Sequence, residues 1–374
     1  MAFDSRSRLL VTGATGFLGG AIVADLLTRP IWPQVRMLVR AGTREEGVVR
    51  MRETLAHFEA SPSDIARVLP GQMLLGDLAT PLHIFADPAL ADITHVINSA
   101  ALATFSTNPK LWPINVDGTF AFVKRLTEIA QIERFVHVGT AMCVGPDAQP
   151  PVAEDYCPPE PIRHLVPYTE TKIEIENRLR RLLPQLPLIQ ARPTIIVGHA
   201  RLGTRPSGSI FWVFRTAMLL ERWTVAPDGR IDVVPVDWVA QSLIELALKP
   251  RLKHRLYHLS AGPHRASTFA ELDAAIALGR GVAPILPRYR QATLAELAAM
   301  SGEYNARLGP CHPRIMQRAI RLYGTFAALN MTFSNDHLIE ERMAPPPPFA
   351  DYAALCAATS EGITIADQMM ADFK

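Results

Sequence analysis

Cysteine is scarce in this chain, with four among 374 residues: Cys143, Cys157, Cys311 and Cys356. Their spacing matches no metal-ligand pattern and is too thin for a disulfide framework, so neither a structural metal module nor a stapled secreted scaffold is expected. A reducing cytoplasm fits this usage. Long apolar runs are also missing. The nearest approach, Phe211-Trp212-Val213-Phe214 with Ala217-Met218-Leu219-Leu220, is interrupted by Arg215 and closed by Glu221 and Arg222. That falls short of the ~20 residues of a membrane span, so a buried or lid helix is expected there and no transmembrane segment. Charge of one sign is not in excess either. Lys plus Arg number 38 against 36 Asp plus Glu, and a net charge of +2 gives no reason to expect nucleic acid as the main ligand. Arg6 and Arg8 lead directly into the first apolar run, so no leader peptide is expected.

What the chain has is alternation. Apolar runs at 8–12, 35–40, 72–75, 95–98, 134–138 and 188–191 read as strands, and helical patterns at 17–28, 43–58, 111–130 and 168–182 fall between them. Pro184 and Pro187 stop the last of these helices. The fold class expected is α/β, a Rossmann-type doubly wound parallel sheet. After Arg192 the alternation breaks into a loop-rich, aromatic excursion over 198–229. It returns at 233–248 and at a further strand over 256–260, and helical patterns recur at 268–279, 293–300, 313–329 and 352–372. Pro345 to Pro348 reads as a stiff connector. The division expected is a dinucleotide-binding domain of residues 1–199 plus 231–262 and a smaller, mostly helical substrate lobe of 200–230 plus 263–374.

Two segments carry chemistry. Thr12-Gly13-Ala14-Thr15-Gly16-Phe17-Leu18-Gly19 stands where the first strand turns into the first helix, the place where backbone NH groups and a helix N-terminus accept a pyrophosphate. Gly13 and Gly16 allow the tight turn, and Gly19 allows the helix to approach the sheet. Tyr168-Thr169-Glu170-Thr171-Lys172 sets a phenol and an ammonium four residues apart, on one helical face. A phenol that titrates near ~10 needs a nearby cation to exchange protons around neutrality, and Lys172 is placed to be that cation. The same pair also fits an ordinary solvated helix face. At the end of the second strand, where a carboxylate would bind the ribose hydroxyls of NADH, the chain has Arg40, with Arg44 close behind. A cation there suits a 2′-phosphate, so NADPH is expected over NADH, with NADH left open.

Three further segments follow strands three to five: Gly76-Asp77-Leu78, with a carboxylate placed to accept from an adenine amino group; Asn98-Ser99-Ala100-Ala101, small enough for a dinucleotide to lie against the backbone; and Gly139-Thr140-Ala141, which puts a hydroxyl at the carboxyl ends of the strands. Together the segments resemble the extended short-chain dehydrogenase/reductase family over roughly the first 260 residues. The resemblance implies that Thr140 orients the substrate, that Tyr168 is the acid/base and that Lys172 activates it. It also implies that Asn115, in Asn115-Val116-Asp117-Gly118-Thr119, positions Lys172 through a water. Arg192-Pro193-Thr194 resembles the segment whose backbone lies beside the nicotinamide, which brings Pro193 and Thr194 into the cofactor set. Val236-Asp237-Trp238-Val239-Ala240 resembles a structural segment of these proteins. Leu38-Val39-Arg40-Ala41 followed by Arg50-Met51-Arg52-Glu53-Thr54-Leu55, with Gly76-Asp77-Leu78-Ala79-Thr80-Pro81-Leu82, looks like the thioester reductase and fatty acyl reductase branch.

The activity this implies is hydride transfer from NADPH to a carbonyl carbon, foremost that of an acyl thioester, giving an aldehyde or an alcohol. The alternatives on the same Thr-Tyr-Lys site are a sugar-nucleotide epimerase or dehydratase and a ketone or hydroxysteroid-type reductase. A non-catalytic dinucleotide sensor is the alternative of another class. The partners expected are a small carbonyl or thioester substrate and no nucleic acid, with a homodimer left open. Cys143 offers a covalent thioester route, against the commoner role of a small buried thiol. His137 reads as packed within its strand. Arg314, Arg318 and Arg321 share a helical face that is either solvated or turned to anionic phosphates.

Overall fold

Strands β1 (Leu9–Thr12), β2 (Val35–Val39), β3 (Met73–Leu75), β4 (His95–Asn98), β5 (Arg134–Val138), β6 (Leu188–Pro193) and β7 (Leu256–Leu259) form one sheet in the order β7-β6-β5-β4-β1-β2-β3. Every pairing in it is parallel, for example Leu9↔Val35, Leu9↔His95 and His137↔Gln190. The strands read as continuous apolar runs because both faces are covered: all four residues of β1 are buried. The computed structural model describes residues 3–372.

Helices α1 (Phe17–Leu27) and α2 (Arg44–His57) cover one face, joined by the later Val236–Leu248; α3 (Thr119–Ile129) and α4 (Pro167–Leu182) cover the other. Chain order reverses between β1 and β4, so the crevice for a ligand opens at the carboxyl ends of those two strands. This is the Rossmann-type fold that the alternation predicts.

After β6, α5 (Phe211–Leu220), the sheet-covering α6 (Val236–Leu248), α7 (Phe269–Arg280), α8 (Pro313–Ala328), α9 (Phe349–Thr359) and α10 (Ile365–Asp372) follow in order. A second apolar core gathers Trp212 of α5, Phe269 of α7, Met316, Ile320 and Tyr323 of α8 and Met369 of α10. The capping box at the head of α7 is made as its spacing predicts: Glu271 N–H donates to Thr268 Oγ1 and Thr268 N–H to Glu271 Oε2, at 3.2 and 2.7 Å.

Two helices depart from the pattern. The run expected as one helix over 111–130 contains a π-helical stretch, Pro113–Gly118, before α3 begins. A Cβ on Gly118 would stand 1.9 Å from the Leu78 carbonyl, so the chain passes too close to the loop after β3 for a side chain there. The run expected over 352–372 is two helices, because the turn between α9 and α10 holds Gly362 at φ +79°. Among the described residues no helix is long and apolar enough to cross a membrane.

Candidate active site

The loop from β1 to α1 is built for close approach of a ligand. Gly13 sits at φ +69°, and a Cβ there would meet Ala100 N at 2.8 Å. Gly16 N–H closes the turn onto Gly13 O at 2.9 Å, and a Cβ on Gly19 would lie 1.9 Å from that same carbonyl. Beneath it, Thr12 Oγ1 donates to Asn98 Oδ1 at 2.6 Å and Ser99 Oγ donates to Thr12 O at 2.7 Å, which fastens the ends of β1 and β4 together. Gly16 caps α1 without a side chain, so the first NH groups of the helix stay unspent. A glycine cradle that side chains would fill, beside an uncapped helix N-terminus, fits a dinucleotide pyrophosphate.

This loop is one wall of a cavity of about 660 Å3. Thr15, Phe17, Leu18, Arg40, Asp77, Leu78, Ser99, Ala100 and Ala101 line the same cavity, as do Thr140, Tyr168, Lys172, Pro193 and Thr194. Of the candidate catalytic and cofactor-binding side chains, Asn115 and Arg44 are not in its wall. Arg40 is largely exposed and stands 3.9 Å from Asp77 Oδ2, a loose ion pair across the mouth. Arg44 is turned aside to Asp87, 2.8 Å away. Arg50, not chosen from sequence, takes its place: it lines the cavity and donates to the Arg40 carbonyl. Six residues from Arg44, it stands on a different side of α2, so helical spacing offers no signal for it.

Tyr168 and Lys172 stand on the first turns of α4, whose start is fixed by Pro167 at its first position. Lys172 is buried, and its Nζ donates to the Val138 carbonyl at 2.5 Å. It lies 6.0 Å from the centre of the Tyr168 ring. Burial pushes the Tyr168 phenol up to about 12, helped by the Cys143 thiol. Burial also brings Lys172 down to about 8, with Glu176 and Cys143 acting against that fall. The phenol therefore moves opposite to the depression expected from Lys172, since desolvation outweighs an ammonium whose proton is directed to a backbone carbonyl.

Thr140 caps the short 3-10 turn Ala141–Val144, with Oγ1 accepting weakly from Met142 N at 3.4 Å, and lines the cavity. Cys143 is fully buried, and burial raises its thiol to about 12, so it is not primed as a nucleophile. Asn115 is buried in the π-helical stretch. Its Oδ1 accepts from Leu102 N at 2.7 Å, and its Nδ2 donates to Leu102 O and Thr171 Oγ1, both at 3.1 Å. It therefore braces the loop after β4 against α4, and none of these bonds goes to Lys172. Thr194 Oγ1 donates to the buried Asp232 at 3.0 Å, which pins the segment after β6.

The far end of the cavity is aromatic. Phe105 lies 6.0 Å from the Tyr168 ring, 5.3 Å from Tyr323 and 5.1 Å from Phe326, and Trp212 closes on Tyr323 at 5.0 Å. Phe105, Tyr323 and Phe326 were not singled out in the sequence. The last two come from α8, some 150 residues beyond Tyr168, and only folding brings them to it.

With this geometry in place, the likenesses to known proteins are specific. The NAD-binding family model described as "Male sterility protein" matches residues 11–243, more than half of the chain. "Aldehyde reductase lnaA" of Aspergillus flavus is 28% identical over 272 residues, covering 68% of this chain and 26% of that protein. A linear gramicidin synthase of Brevibacillus parabrevis is 30% identical over 281 residues, covering 71% of this chain and 5% of that one. The chain thus spans about a quarter or less of the length of these curated relatives. Among solved structures, the terminal R domain from the myxalamid PKS-NRPS biosynthetic pathway superposes with a TM-score of 0.74 over 95% of this chain and 90% of its own, at 20% identity, a likeness of fold.

Proposed function

From the premise that this chain belongs to the male sterility protein family, thioester reductase-like members of the extended short-chain dehydrogenase/reductases and NAD(P)-dependent oxidoreductases, we propose that it reduces acyl thioesters with NADPH. The observation that carries this reading is one cavity that joins the glycine cradle, the Thr140, Tyr168 and Lys172 side chains and an apolar aromatic end. That end suits an acyl group and offers little to a sugar nucleotide, which disfavours the epimerase reading. A relative whose name records an aldehyde reductase supports reduction at a carbonyl carbon.

The residues to hold the dinucleotide are the backbone of Gly13 to Gly19 for the pyrophosphate, Asp77 and Leu78 for the adenine, and Ser99 to Ala101 and Pro193 to Thr194 for the nicotinamide half. Arg40 and Arg50 are the cations for a 2′-phosphate and carry the preference for NADPH. When bound, the cofactor supplies the hydride to the carbonyl carbon. Thr140 and Tyr168 hold the carbonyl oxygen, and Tyr168, protonated at neutral pH because burial holds its phenol at about 12, gives its proton as charge develops there. Lys172 supplies the positive charge that eases this loss and an ammonium for the ribose. The resulting hemithioacetal collapses by breaking its C–S bond, releasing free thiol and aldehyde; a second round yields the alcohol. Residues 1–199 with 231–262 hold the dinucleotide, and 200–230 with 263–374 join Phe105 in supplying the acyl-facing wall.

The test is NADPH oxidation with a panel of acyl-CoA thioesters, ketones and nucleotide sugars, with free thiol measured alongside. Oxidation matched by thiol release on thioesters is expected. Turnover on ketones alone, or interconversion of sugars without net NADPH consumption, overturns the reading.

A further inference from the structure

Lys172 does not hold its charge alone. Behind it on the same face of α4, one turn on, stands Glu176, with no exposed surface. Its Oε2 is fully committed: Arg192 Nη2 and Nε donate to it at 2.6 and 3.0 Å, and Gln190 Nε2 at 2.7 Å. Its Oε1 has no hydrogen-bond partner among the described residues, although it is buried. That free oxygen has a defined place, since a Cβ on Gly139 would stand 2.0 Å from it. Lys172 Nζ donates to the carbonyl of Val138, the other end of the same peptide unit. An ammonium has three donors, and among the described residues the bond to Val138 is the single hydrogen bond that Nζ makes. A buried cation with donors to spare and a buried carboxylate with an oxygen to spare thus converge on one peptide at the carboxyl end of β5, next to Thr140.

We propose that Glu176 is a positioning residue for Lys172: anchored through Oε2 by Arg192 and Gln190, it presents Oε1 as the counter-charge that keeps the buried amine an ammonium in the wall of the active-site cavity. Such an arrangement explains why a carboxylate already paired with arginine keeps one oxygen uncommitted, and why residue 139 has no side chain to block it. The groups facing Lys172 from the elements around it are few. Tyr168 and Glu176 come from α4, His137 from β5, Cys143 from the turn after β5 and Arg192 from β6. His137 is kept neutral first by burial and then by Lys172 and Arg192, and Arg192 is spent on Glu176, so the Glu176 carboxylate is the anion left to favour the charged amine. The fall of Lys172 to about 8 through burial, opposed first by Glu176, agrees with this assignment.

The kinetic part of the test rests on the reductase reading; the titration does not. Lysine-labelled full-length chain is followed by 13C NMR against pH, with Lys172 identified by its loss in Lys172→Met. In the wild type the Lys172 midpoint is expected near 8. In Glu176→Gln, which keeps the shape and removes the charge, the midpoint falls by about one pH unit. The alkaline limb of the pH profile of kcat moves the same way, so activity at pH 8 drops several-fold while that at pH 6.5 is kept. A folded Glu176→Gln whose Lys172 midpoint stays within about 0.2 unit of wild type overturns the proposal. Should Glu176→Gln fail to fold because Arg192 is stranded, Glu176→Asp keeps the ion pair and draws the carboxylate back by one methylene. There a fall of about half a unit is expected, and an unchanged midpoint overturns the assignment. A protein that reduces no carbonyl refutes the proposed function and leaves the titration to decide the role of Glu176.

Discussion

Replacing Gly19 with alanine puts the account of the glycine loop under direct strain. The added Cβ would stand 1.9 Å from Gly13 O, 2.6 Å from Gly13 C and 2.9 Å from Ala14 Cα, all backbone atoms that cannot rotate away. Ordinary contact begins near 3.4 Å, so α1 must retreat by about 1.5 Å. The helix has nowhere to go, because Ile22, Val23, Leu26 and Leu27 on its inner side are fully buried in the core. Overpacking of this kind costs about 3 kcal/mol, which for a chain of 374 residues lowers Tm by roughly 4 °C. Dinucleotide affinity suffers by a comparable amount, because a misplacement beyond an ångström at a binding backbone is worth about a hundredfold. Thermal melting and quenching of NADPH fluorescence read the two effects separately. Gly71→Ala, where an added Cβ meets nothing within 4 Å, serves as the neutral control. A Gly19→Ala protein that melts with wild type and binds NADPH equally well excludes this role for the close approach at Gly19.

Other outcomes follow from the same geometry. Arg40→Ala and Arg50→Ala each lower the NADPH-to-NADH ratio of kcat/KM by about 10- to 100-fold, as expected for loss of a charge-assisted hydrogen bond to phosphate; an unchanged ratio in both removes the basis for the preference. Phe105→Ala, which opens the ring stack beside Tyr168, raises KM for an acyl thioester about tenfold with little change in NADPH binding; an unchanged KM shows that the acyl group lies elsewhere. His95 is held neutral mainly by burial, with its pKa lowered to about 4. A base with a depressed folded pKa gives full stability above its unfolded value near 6.5 and loses it as pH falls toward 4, here by about 3 kcal/mol. His95→Gln should therefore flatten the decline in urea midpoint between pH 7 and pH 4.5, and an equal decline in both proteins would exclude this source.

The sheet was legible because each strand is a short apolar run bounded by turns, and because the positions that bind a dinucleotide follow those runs directly. Thr140, Tyr168 and Lys172 lie within 33 residues of one another, on the end of β5 and the start of α4, so local pattern suffices to bring them together. Arg50 and Glu176 were harder to see. Glu176 is one helical turn from Lys172 and Arg50 lies on a different side of α2 from Arg44, and which residue takes the role depends on ion pairs, Arg44 with Asp87 and Glu176 with Arg192, that spacing does not reveal. Phe105, Tyr323 and Phe326 had no local signal at all, because an aromatic in a loop and two on an apolar helix face look alike whether they pack in a core or line a cavity. The π-helical stretch at Asn115 was hidden for a similar reason: the close pass of Gly118 to the Leu78 carbonyl is a tertiary fact.

That the Tyr168 phenol gives the proton in carbonyl reduction is decided by single-turnover kinetics of Tyr168→Phe. With acyl thioester and NADPH preloaded, the rate of NADPH oxidation should fall by about 100- to 10,000-fold while the Kd for NADPH stays close to that of wild type. A rate unchanged by removal of that one oxygen would contradict the account.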